Sequence, residues 1–400
     1  MKKFLIVIAC ISFVLGITFS LGAPAYARDE KPYPMPKAEK HLESYSSRSA
    51  YLIDYDTETV LYERNPDDKY PIASMVKIMT LNIVFDEIDR GNLSFDDTVV
   101  ISERASGMGG SQMFLDTGLE YSVNDLIKGV TVVSANDASV ALAEKIAGSV
   151  EGFIDLMNER SKEYGMDNTV FVNVTGLPQE GQYSTARDVS KMMKNLLKHP
   201  KYYEFSSIYL ENYNHPDGRV TELTNTNKLV RFYDGCDGGK TGFTNDAMFC
   251  LSATAKRGET RVIATVLGAP TSKDRNKEIT DLFNYGFHNY HTIKLIEKDK
   301  PIEGEIEIKG AKSNKITITS LEDIAILEKK GVKNQYEVKI EINDSLKAPL
   351  KQGDPIGKAV VIDEKGNVIN EATLVTLTDI ESRSYLDSIR KIFENWSLTV

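Results

Sequence analysis

The stretch Pro71-Ile72-Ala73-Ser74-Met75-Val76-Lys77 decides the fold, because two further short motifs follow it in a fixed order. These are Ser134-Ala135-Asn136 and Lys240-Thr241-Gly242. The ordered set Ser-x-x-Lys, Ser-x-Asn and Lys-Thr-Gly is typical of enzymes that transfer acyl groups through a serine. A single copy carries little information, since Ser-x-x-Lys recurs at residues 388–391 and Ser-x-Asn at residues 122–124.

The surroundings of each copy separate the candidates. Ser74 opens a run of residues with helical apolar spacing, whereas Ser122 is better interpreted as a helix N-cap and Ser388 as part of a terminal amphipathic segment. The spacing of three places Ser74 and Lys77 on one helix face, within hydrogen-bonding reach. A lysine acts as a base only when uncharged, so we expect burial and the charge of Lys240 to lower the pKa of Lys77.

Acyl transfer through Ser74 also requires two hydrogen-bond donors for the oxyanion. The backbone N–H of Ser74 is one candidate. The N–H of Phe243 is the other, on an edge strand that runs through residues 240–242. We expect Gly239 and Gly242 to remove side chains where a peptide must lie along that strand.

The distribution of strand and helix patterns predicts an α+β domain. The chain has 400 residues, of which 41% are hydrophobic and 26% charged, which suffices for a domain of about 250 residues and a smaller companion. Residues 50–55 and 60–63 predict a hairpin, and strand patterns return at 249–255 and 261–267, with helical spacing between them. Segment 46–293 is therefore expected to combine an antiparallel sheet with a helical lobe.

After that segment the sequence pattern changes from mixed helices and strands to short strands. Short alternating stretches predict a small β-sandwich-like domain over residues 294–377. Residues 378–400 predict an amphipathic helix, because apolar residues recur every three or four positions. We expect residues 379–400 to bind the membrane surface, with packing on the β domain as the alternative.

The amino-terminal 27 residues have the pattern of a secretory signal peptide, with Lys2, Lys3, an apolar run and Ala25-Tyr26-Ala27. Cleavage after Ala27 is predicted, with a transmembrane helix as the alternative, and residues 28–45 form a polar leader. Removal of two lysines and no acid changes the formal charge from −10 to −12. An acidic chain without basic clusters excludes nucleic acid as a partner. We expect an exported protein at the outer face of the cytoplasmic membrane, in the cell-wall space.

Cysteines and histidines give no sign of a cofactor. Cys236 and Cys250 remain after processing, and an exported protein permits a disulfide between them. Two half-buried strand residues are the favoured interpretation, since sequence does not fix the Cβ geometry. His288 and His291 lack an acidic third ligand at useful spacing, so neither a metal nor an organic cofactor is expected.

The three motifs and their flanks resemble the low-molecular-weight penicillin-binding proteins, specifically the serine-type D-alanyl-D-alanine carboxypeptidases. The likeness extends over residues 46–400 and includes segments 164–169 and 238–244. It implies a penicillin-binding/β-lactamase-like catalytic domain, then a small all-β domain and a C-terminal amphipathic helix. It also implies removal of the terminal D-alanine from peptidoglycan stem peptides ending in D-Ala-D-Ala. The same serine would be acylated by β-lactam antibiotics.

The resemblance assigns roles to matching residues of the first two motifs. Ser74 would be acylated, and Lys77 would be its base. Ser134 would relay a proton to the leaving D-alanine. Asn136 would orient Lys77 and the substrate amide.

Substrate binding is implied for the third motif. Lys240 and Thr241 would hold the terminal carboxylate, with Gly242 in the same strand. Arg275 is either an additional anion partner or a solvated helix charge. One turn departs from the family, since the chain has Asn225-Thr226-Asn227 where relatives often carry Asn-Arg-Asn. This departure concerns the binding of the substrate carboxylate.

Several activities share this fold. A class A β-lactamase would need a deacylating glutamate in a Glu-x-x-Leu-Asn loop, and none occurs between residues 134 and 240, so penicillin should form a long-lived adduct. A transpeptidase or a D,D-endopeptidase acting on cross-linked peptidoglycan begins with the same acyl-enzyme and stays open. A catalytically weak wall-binding scaffold of the same fold is the alternative of a different class.

Overall fold

The computed structural model describes residues 41–384 except residues 314 and 333. The signal peptide predicted over residues 1–27, most of the leader and residues 385–400 of the predicted terminal helix lie outside the described residues. The chain divides into two compact units, with the boundary between Tyr290 and His291.

The first unit contains nine strands and nine helices that lie wholly within its described residues, and a 3-10 turn over Ala73–Val76 directly precedes α1. In chain order they are β1 (Ser49–Asp54), β2 (Val60–Arg64), α1 (Lys77–Asp89), β3 (Thr98–Val100), α2 (Glu103–Ser106), β4 (Glu120–Ser122), α3 (Val123–Val132), α4 (Asn136–Ala147), α5 (Val150–Glu163), α6 (Ala186–Leu196), α7 (Tyr202–Ser206), β5 (Leu210–Asn214), β6 (Val220–Thr224), α8 (Leu229–Phe232), β7 (Cys236–Thr244), β8 (Met248–Arg257), β9 (Thr260–Ala269) and α9 (Ser272–Asn289).

An antiparallel sheet of five strands, in the order β2-β1-β9-β8-β7, forms the frame of this unit. The predicted hairpin is confirmed, since Ala50 lies opposite Arg64 in β1 and β2. The pairing of β1 with β9 confirms that the sheet joins distant parts of the chain. Strand β7 is at one end of the sheet order, so one of its sides has no strand of this sheet beside it.

The helical lobe is built around α1, whose first nine residues, from Lys77 to Phe85, are all buried. Five other helices begin at a Ser or Thr whose side chain accepts a hydrogen bond from the N–H three residues later, namely Ser102, Ser122, Ser149, Thr185 and Thr271. Such a cap is worth about 1 kcal/mol. The prediction that Ser122 caps a helix is therefore confirmed.

The second unit consists of strands in its described residues. They are β10 (Tyr290–Ile296), β11 (Ile302–Glu305), β12 (Lys315–Ser320), β13 (Ile324–Lys329), β14 (Tyr336–Ile342), β15 (Pro355–Asp363) and β16 (Val368–Thr376). Five of them form a sheet in the order β11-β12-β16-β15-β14, and β10 pairs with β13. The core between them is rich in isoleucine, with Ile318, Ile324 and Ile356 fully buried. The predicted small all-β domain is confirmed.

The helix predicted from residue 378 does not begin there. Residues 379–384 are not helical, and Ile380 and Ser382 form bridges with Leu350 and Ala311. Ile380 is buried in the core of the second unit, so tertiary packing overrides the helical spacing at this point. Among the described residues, no helix is both long and apolar enough to cross a membrane.

Removal of a buried aromatic ring tests the packing of the helical lobe. Phe153 in α5 is 0% exposed, whereas Phe232 is 69% exposed. We expect Phe153→Ala to lower the free energy of unfolding by about 3–5 kcal/mol, because it leaves a cavity. Phe232→Ala should cost less than about 1 kcal/mol. Urea unfolding of both variants checks this, and equal losses would contradict the described core.

Candidate active site

Ser74 lies in the 3-10 turn over Ala73–Val76, immediately before α1. Ala73 has a φ of 47°, an uncommon conformation for a residue with a side chain. Gly176, with a φ of +81°, packs against this turn so closely that a Cβ would lie 2.0 Å from the Ala73 carbonyl oxygen. Neighbouring segments therefore hold the turn in its strained conformation.

The glycines of the third motif have a different purpose from the predicted one. A Cβ at Gly242 would lie 2.5 Å from the Ile72 carbonyl oxygen, and a Cβ at Gly239 would lie 2.6 Å from the Ser252 carbonyl oxygen. The missing side chains thus make room for the protein's own backbone, not for a peptide. At Gly242 this close packing brings β7 against the turn that carries Ser74, and Phe243 follows directly in the strand.

The amine of Lys77 is surrounded by three oxygen atoms. Its Nζ lies 2.7 Å from Asn136 Oδ1, 2.6 Å from the Thr175 carbonyl oxygen and 3.1 Å from Ser74 Oγ. A carbonyl oxygen only accepts hydrogen bonds, so Asn136 and Thr175 take two N–H groups of the amine. In the uncharged amine the remaining position is the lone pair, which faces the Ser74 hydroxyl.

The orientation of Asn136 is set by the loop between α2 and β4. Its Nδ2 donates to the Gly109 carbonyl oxygen at 2.6 Å, which directs Oδ1 towards Lys77. The buried Asp137 next to it accepts hydrogen bonds from the backbone N–H groups of Met113 and Leu115, at 3.2 and 3.1 Å. Asp137 fixes the same loop, and sequence reasoning missed it although it directly follows the second motif.

Burial lowers the pKa of Lys77 well below the ordinary lysine value, and the charge of Lys240 lowers it further. The carboxylate of Asp137 acts in the opposite direction. Lys77 is 0% exposed, so an ammonium ion at this position would lose its hydration. The expectation that burial and Lys240 favour the neutral amine agrees with the direction of this pKa.

Lys240 brings the second and third motifs together. Its Nζ donates to Ser134 Oγ at 2.8 Å and to the Thr241 carbonyl oxygen at 3.0 Å. Ser134 has a φ of 64° and is buried, so its hydroxyl is directed by a local backbone that few residues adopt. Burial lowers the pKa of Lys240 to about 7, with a further contribution from the charge of Arg275.

Arg275 is 6% exposed, so the alternative of a solvated helix charge is wrong. Burial lowers its pKa to about 10. Its guanidinium donates two hydrogen bonds to Asn276 Oδ1, at 3.1 and 2.9 Å. Neither Arg275 nor Lys240 forms an ion pair with a carboxylate of the described residues, which leaves two buried cations able to attract an anion.

The turn that departs from the family pattern has a structural role. Asn225 Nδ2 donates to the carbonyl oxygens of Ser206 and Ile208, at 3.2 and 2.8 Å. Asn227 Nδ2 donates to the Gly238 carbonyl oxygen at 3.2 Å. Thr226 donates its backbone N–H to the Val132 carbonyl oxygen, at the end of α3. The turn therefore connects the end of α3 to β7 through contacts that do not involve the Thr226 side chain.

Cys236 and Cys250 are free thiols, as the favoured interpretation predicted, but both are buried and not half-buried. Burial raises the pKa of the Cys250 thiol to about 11, so the thiol is uncharged at neutral pH. Within the described part of the chain, no group of three His, Cys, Asp or Glu side chains could hold a metal ion.

Fold and site together define a serine enzyme with a Ser-Lys pair, set between a five-stranded sheet and a helical lobe. The sequence model of the D-alanyl-D-alanine carboxypeptidase family, Peptidase S11, matches residues 35–271. The model of the C-terminal domain of penicillin-binding protein 5 matches residues 290–382. The chain therefore belongs to the D-alanyl-D-alanine carboxypeptidase family of serine peptidases, as the motifs predicted.

Individual relatives agree with this assignment. D-alanyl-D-alanine carboxypeptidase DacF of Bacillus subtilis is 38% identical, over 96% of this chain and 98% of the relative. DacA of Haemophilus influenzae is 35% identical, over 84% and 85%. The crystal structure of penicillin-binding protein 5 from Haemophilus influenzae superposes with a TM-score of 0.67 at 34% identity, covering 84% of this chain and 98% of that chain.

The influence of Lys240 on Lys77 predicts a shift in the pH dependence of acylation. Because the Lys240 charge lowers the pKa of Lys77, Lys240→Gln should raise that pKa, and protonation of Lys77 should begin at higher pH. We expect the acid limb of the penicillin acylation rate to move to higher pH. Lys256→Gln, at an exposed position of β8, is the control and should leave the limb in place. An unmoved limb in Lys240→Gln would show that the two amines are not coupled.

Proposed function

We propose that Ser74 attacks the carbonyl carbon between the last two D-alanines of a peptidoglycan stem peptide. The observation that carries this proposal is the contact of the buried Lys77 amine with Ser74 Oγ at 3.1 Å, while two carbonyl oxygens occupy its other hydrogen-bonding positions. This arrangement suits an amine that takes the hydroxyl proton as the Oγ–carbon bond forms. The backbone N–H groups of Ser74 and Phe243 would stabilise the oxyanion.

The proton must reach the leaving group for the reaction to proceed. When the tetrahedral intermediate collapses, the C–N bond breaks and the amine nitrogen of D-alanine takes up a proton. Ser134 would relay to this nitrogen the proton that Lys77 took from Ser74, which leaves both Ser134 and Lys77 neutral again. The Ser134 hydroxyl is held in place by Lys240, whose Nζ donates to its Oγ at 2.8 Å. Water then hydrolyses the Ser74 ester, which releases the shortened peptide and restores the serine.

The carboxylate of the terminal D-alanine would bind at Lys240, Thr241 and Arg275. Two buried cations without carboxylate partners in the described chain favour an anion here, and its arrival would raise the pKa of Lys240 above about 7. A protonated Lys240 would in turn help to keep Lys77 uncharged.

Ser74→Ala tests the nucleophile. Fluorescent penicillin should label the wild type and form a long-lived adduct, whereas labelling of Ser74→Ala should vanish. Release of D-alanine from a pentapeptide should fall by at least about 1,000-fold, since no other group can form the ester. The matched control is Ser388→Ala, in the second Ser-x-x-Lys copy, which should label like the wild type.

The same assay separates the alternatives. Labelling of Ser74→Ala at the wild-type level would contradict the assigned nucleophile. A scaffold need not be labelled at all. A wild type that cleaves cross-linked dimers faster than it releases D-alanine would indicate an endopeptidase.

We also propose that the protein is exported and acts at the outer face of the cytoplasmic membrane. The signal-peptide pattern of residues 1–27 and the amphipathic pattern towards the C terminus support this location. The structure of residues 379–384 changes where the membrane-binding segment is expected to begin. Because Ile380 and Ser382 bridge to the β domain, the membrane-binding part is proposed to begin after Ser384.

Truncation after Ser384 tests the anchor without removing these bridges. We expect the truncated protein to move from the membrane fraction to the soluble fraction, while penicillin acylation stays unchanged. The full-length variant with Phe393 and Trp396 replaced by Ser controls for the change in chain length. It should also move from the membrane fraction to the soluble fraction. Unchanged membrane recovery of both proteins would defeat the proposed anchor.

A further inference from the structure

The carboxylate of Asp137 is a buried charge that the proposed reaction does not use. The residue directly follows Asn136 in the first turn of α4 and is 0% exposed. Its partners are the backbone N–H groups of Met113 at 3.2 Å, Leu115 at 3.1 Å and Ala138 at 2.9 Å. Within the described part of the chain it forms no ion pair. Burying a carboxylate without a cation is costly, which indicates that the charge itself has a function.

The same carboxylate holds a strained loop. Phe114 lies between the two loop residues whose N–H groups it binds, and the φ of Phe114, 64°, is uncommon for a residue with a bulky side chain. The Phe114 ring is 55% exposed, so packing of the ring does not impose this conformation. The Phe114 carbonyl oxygen accepts a hydrogen bond at 3.2 Å from Arg219, which is exposed. The buried contacts that hold the loop are therefore the side chains of Met113 and Leu115 and the hydrogen bonds to Asp137.

The other end of this loop encloses the amide of Asn136. The Gly109 carbonyl oxygen accepts from Asn136 Nδ2 at 2.6 Å, and the Ser111 carbonyl oxygen accepts the Asn136 N–H at 2.7 Å. A Cβ at Gly110 would lie 2.8 Å from Asn136 Nδ2, so the loop is in direct contact with the amide. A displaced loop would release this amide, and its Oδ1 would no longer be directed at the base. The loop conformation is therefore needed for the position of the base.

The charge of Asp137 also acts on Lys77 directly. Burial and the charge of Lys240 lower the pKa of Lys77, and Asp137 opposes both. A general base works best when its pKa lies near the working pH, so an amine of very low pKa would be uncharged but too weak a base. The Asp137 charge also reaches His215, whose pKa is lowered by burial; the other charged groups that act on this imidazole are Arg219, Asp217 and Asp116.

We propose that Asp137 is a positioning residue for acyl transfer, which holds the loop against Asn136 and supplies a negative charge that counteracts the positive charge of Lys240 at the Lys77 amine. Lys77 is the base in the proposed function, on which this inference rests. Lys240 opposes protonation of the resting amine, whereas Asp137 preserves the ability of the amine to take the proton from Ser74. Asp137 forms no hydrogen bond with either residue, so it acts through the loop and through its charge.

The test is the pH dependence of penicillin acylation in the full-length protein. Asp137→Asn removes the charge, and its NH2 group cannot accept one of the loop N–H groups. The pKa of Lys77 should then fall, so the acid limb should move to lower pH, opposite to its movement in Lys240→Gln. Above the limb the acylation rate should fall about 10- to 100-fold, because the loop and Asn136 shift.

Two further variants separate charge from geometry. Asp137→Glu keeps the charge but is one methylene longer at a buried position, so the limb should stay in place while the rate falls. Asp116→Asn is the matched control, because it removes a carboxylate from the same loop that is not among the charges acting on Lys77. It should keep the limb in place and the rate within about twofold of the wild type.

An unmoved limb in Asp137→Asn, or a wild-type rate above the limb, would overturn the proposal. If circular dichroism shows that Asp137→Asn does not fold, Asp137→Glu decides, and a moved limb or an unchanged rate in that variant overturns it. The nucleophile is tested separately by the labelling of Ser74→Ala. A wild type that penicillin labels, together with Asp137 variants that behave like it, therefore contradicts this inference and leaves the proposed function standing.

Discussion

Burial of the Lys77 amine is the constraint on which the site depends. A charged amine at 0% exposure would need compensation by an anion, yet its three hydrogen-bonding neighbours are the uncharged oxygens of Asn136, Thr175 and Ser74. An uncharged amine can donate to the two carbonyl oxygens and still accept a proton from the Ser74 hydroxyl. The surroundings that make a free lysine unfavourable are therefore the ones that make this lysine a base.

Four separate parts of the chain must converge to produce this environment. Helix α1 supplies Lys77, the start of α4 supplies Asn136, and the loop at residues 173–182 supplies the Thr175 carbonyl oxygen. Strand β7 supplies the neighbouring charge of Lys240. Gly176 and Gly242 permit the last two parts to approach the Ser74 turn at backbone distance. A side chain at either glycine would push these parts away from the Ser74 turn. The close packing at the two glycines is therefore also needed for the surroundings that lower the pKa of Lys77.

Some parts of the site could be predicted from the sequence, because particular side chains occur there at a short, fixed spacing. Ser74 and Lys77 are one helical turn apart, and their contact follows from helix geometry. The strands at 249–255 and 261–267 were predicted by their composition and confirmed. The order of the three motifs assigned Lys240 and Ser134 to one site, although 106 residues separate them; their direct contact is seen only in the structure.

Other features of the site and the fold could not be predicted from local sequence patterns. The acceptor at Thr175 is a backbone carbonyl, which any residue could supply, so no sequence pattern marks it. The burial of Arg275 depends on packing around α9 and not on helical spacing. The predicted start of the terminal helix at residue 378 is wrong, because Ile380 packs into the β domain. The close packing of Gly242 was not predicted, because its contact is with Ile72, which is distant in sequence.

Direct titration of Lys77 tests the account most closely. The ¹³Cε and ¹⁵Nζ resonances of this residue, assigned by their loss in Lys77→Arg, report whether the amine of the resting enzyme carries a charge. The account predicts an uncharged amine at neutral pH, with a pKa well below the ordinary lysine value of 10.5. Titration of Lys77 near 10.5 together with the surface lysines would contradict it.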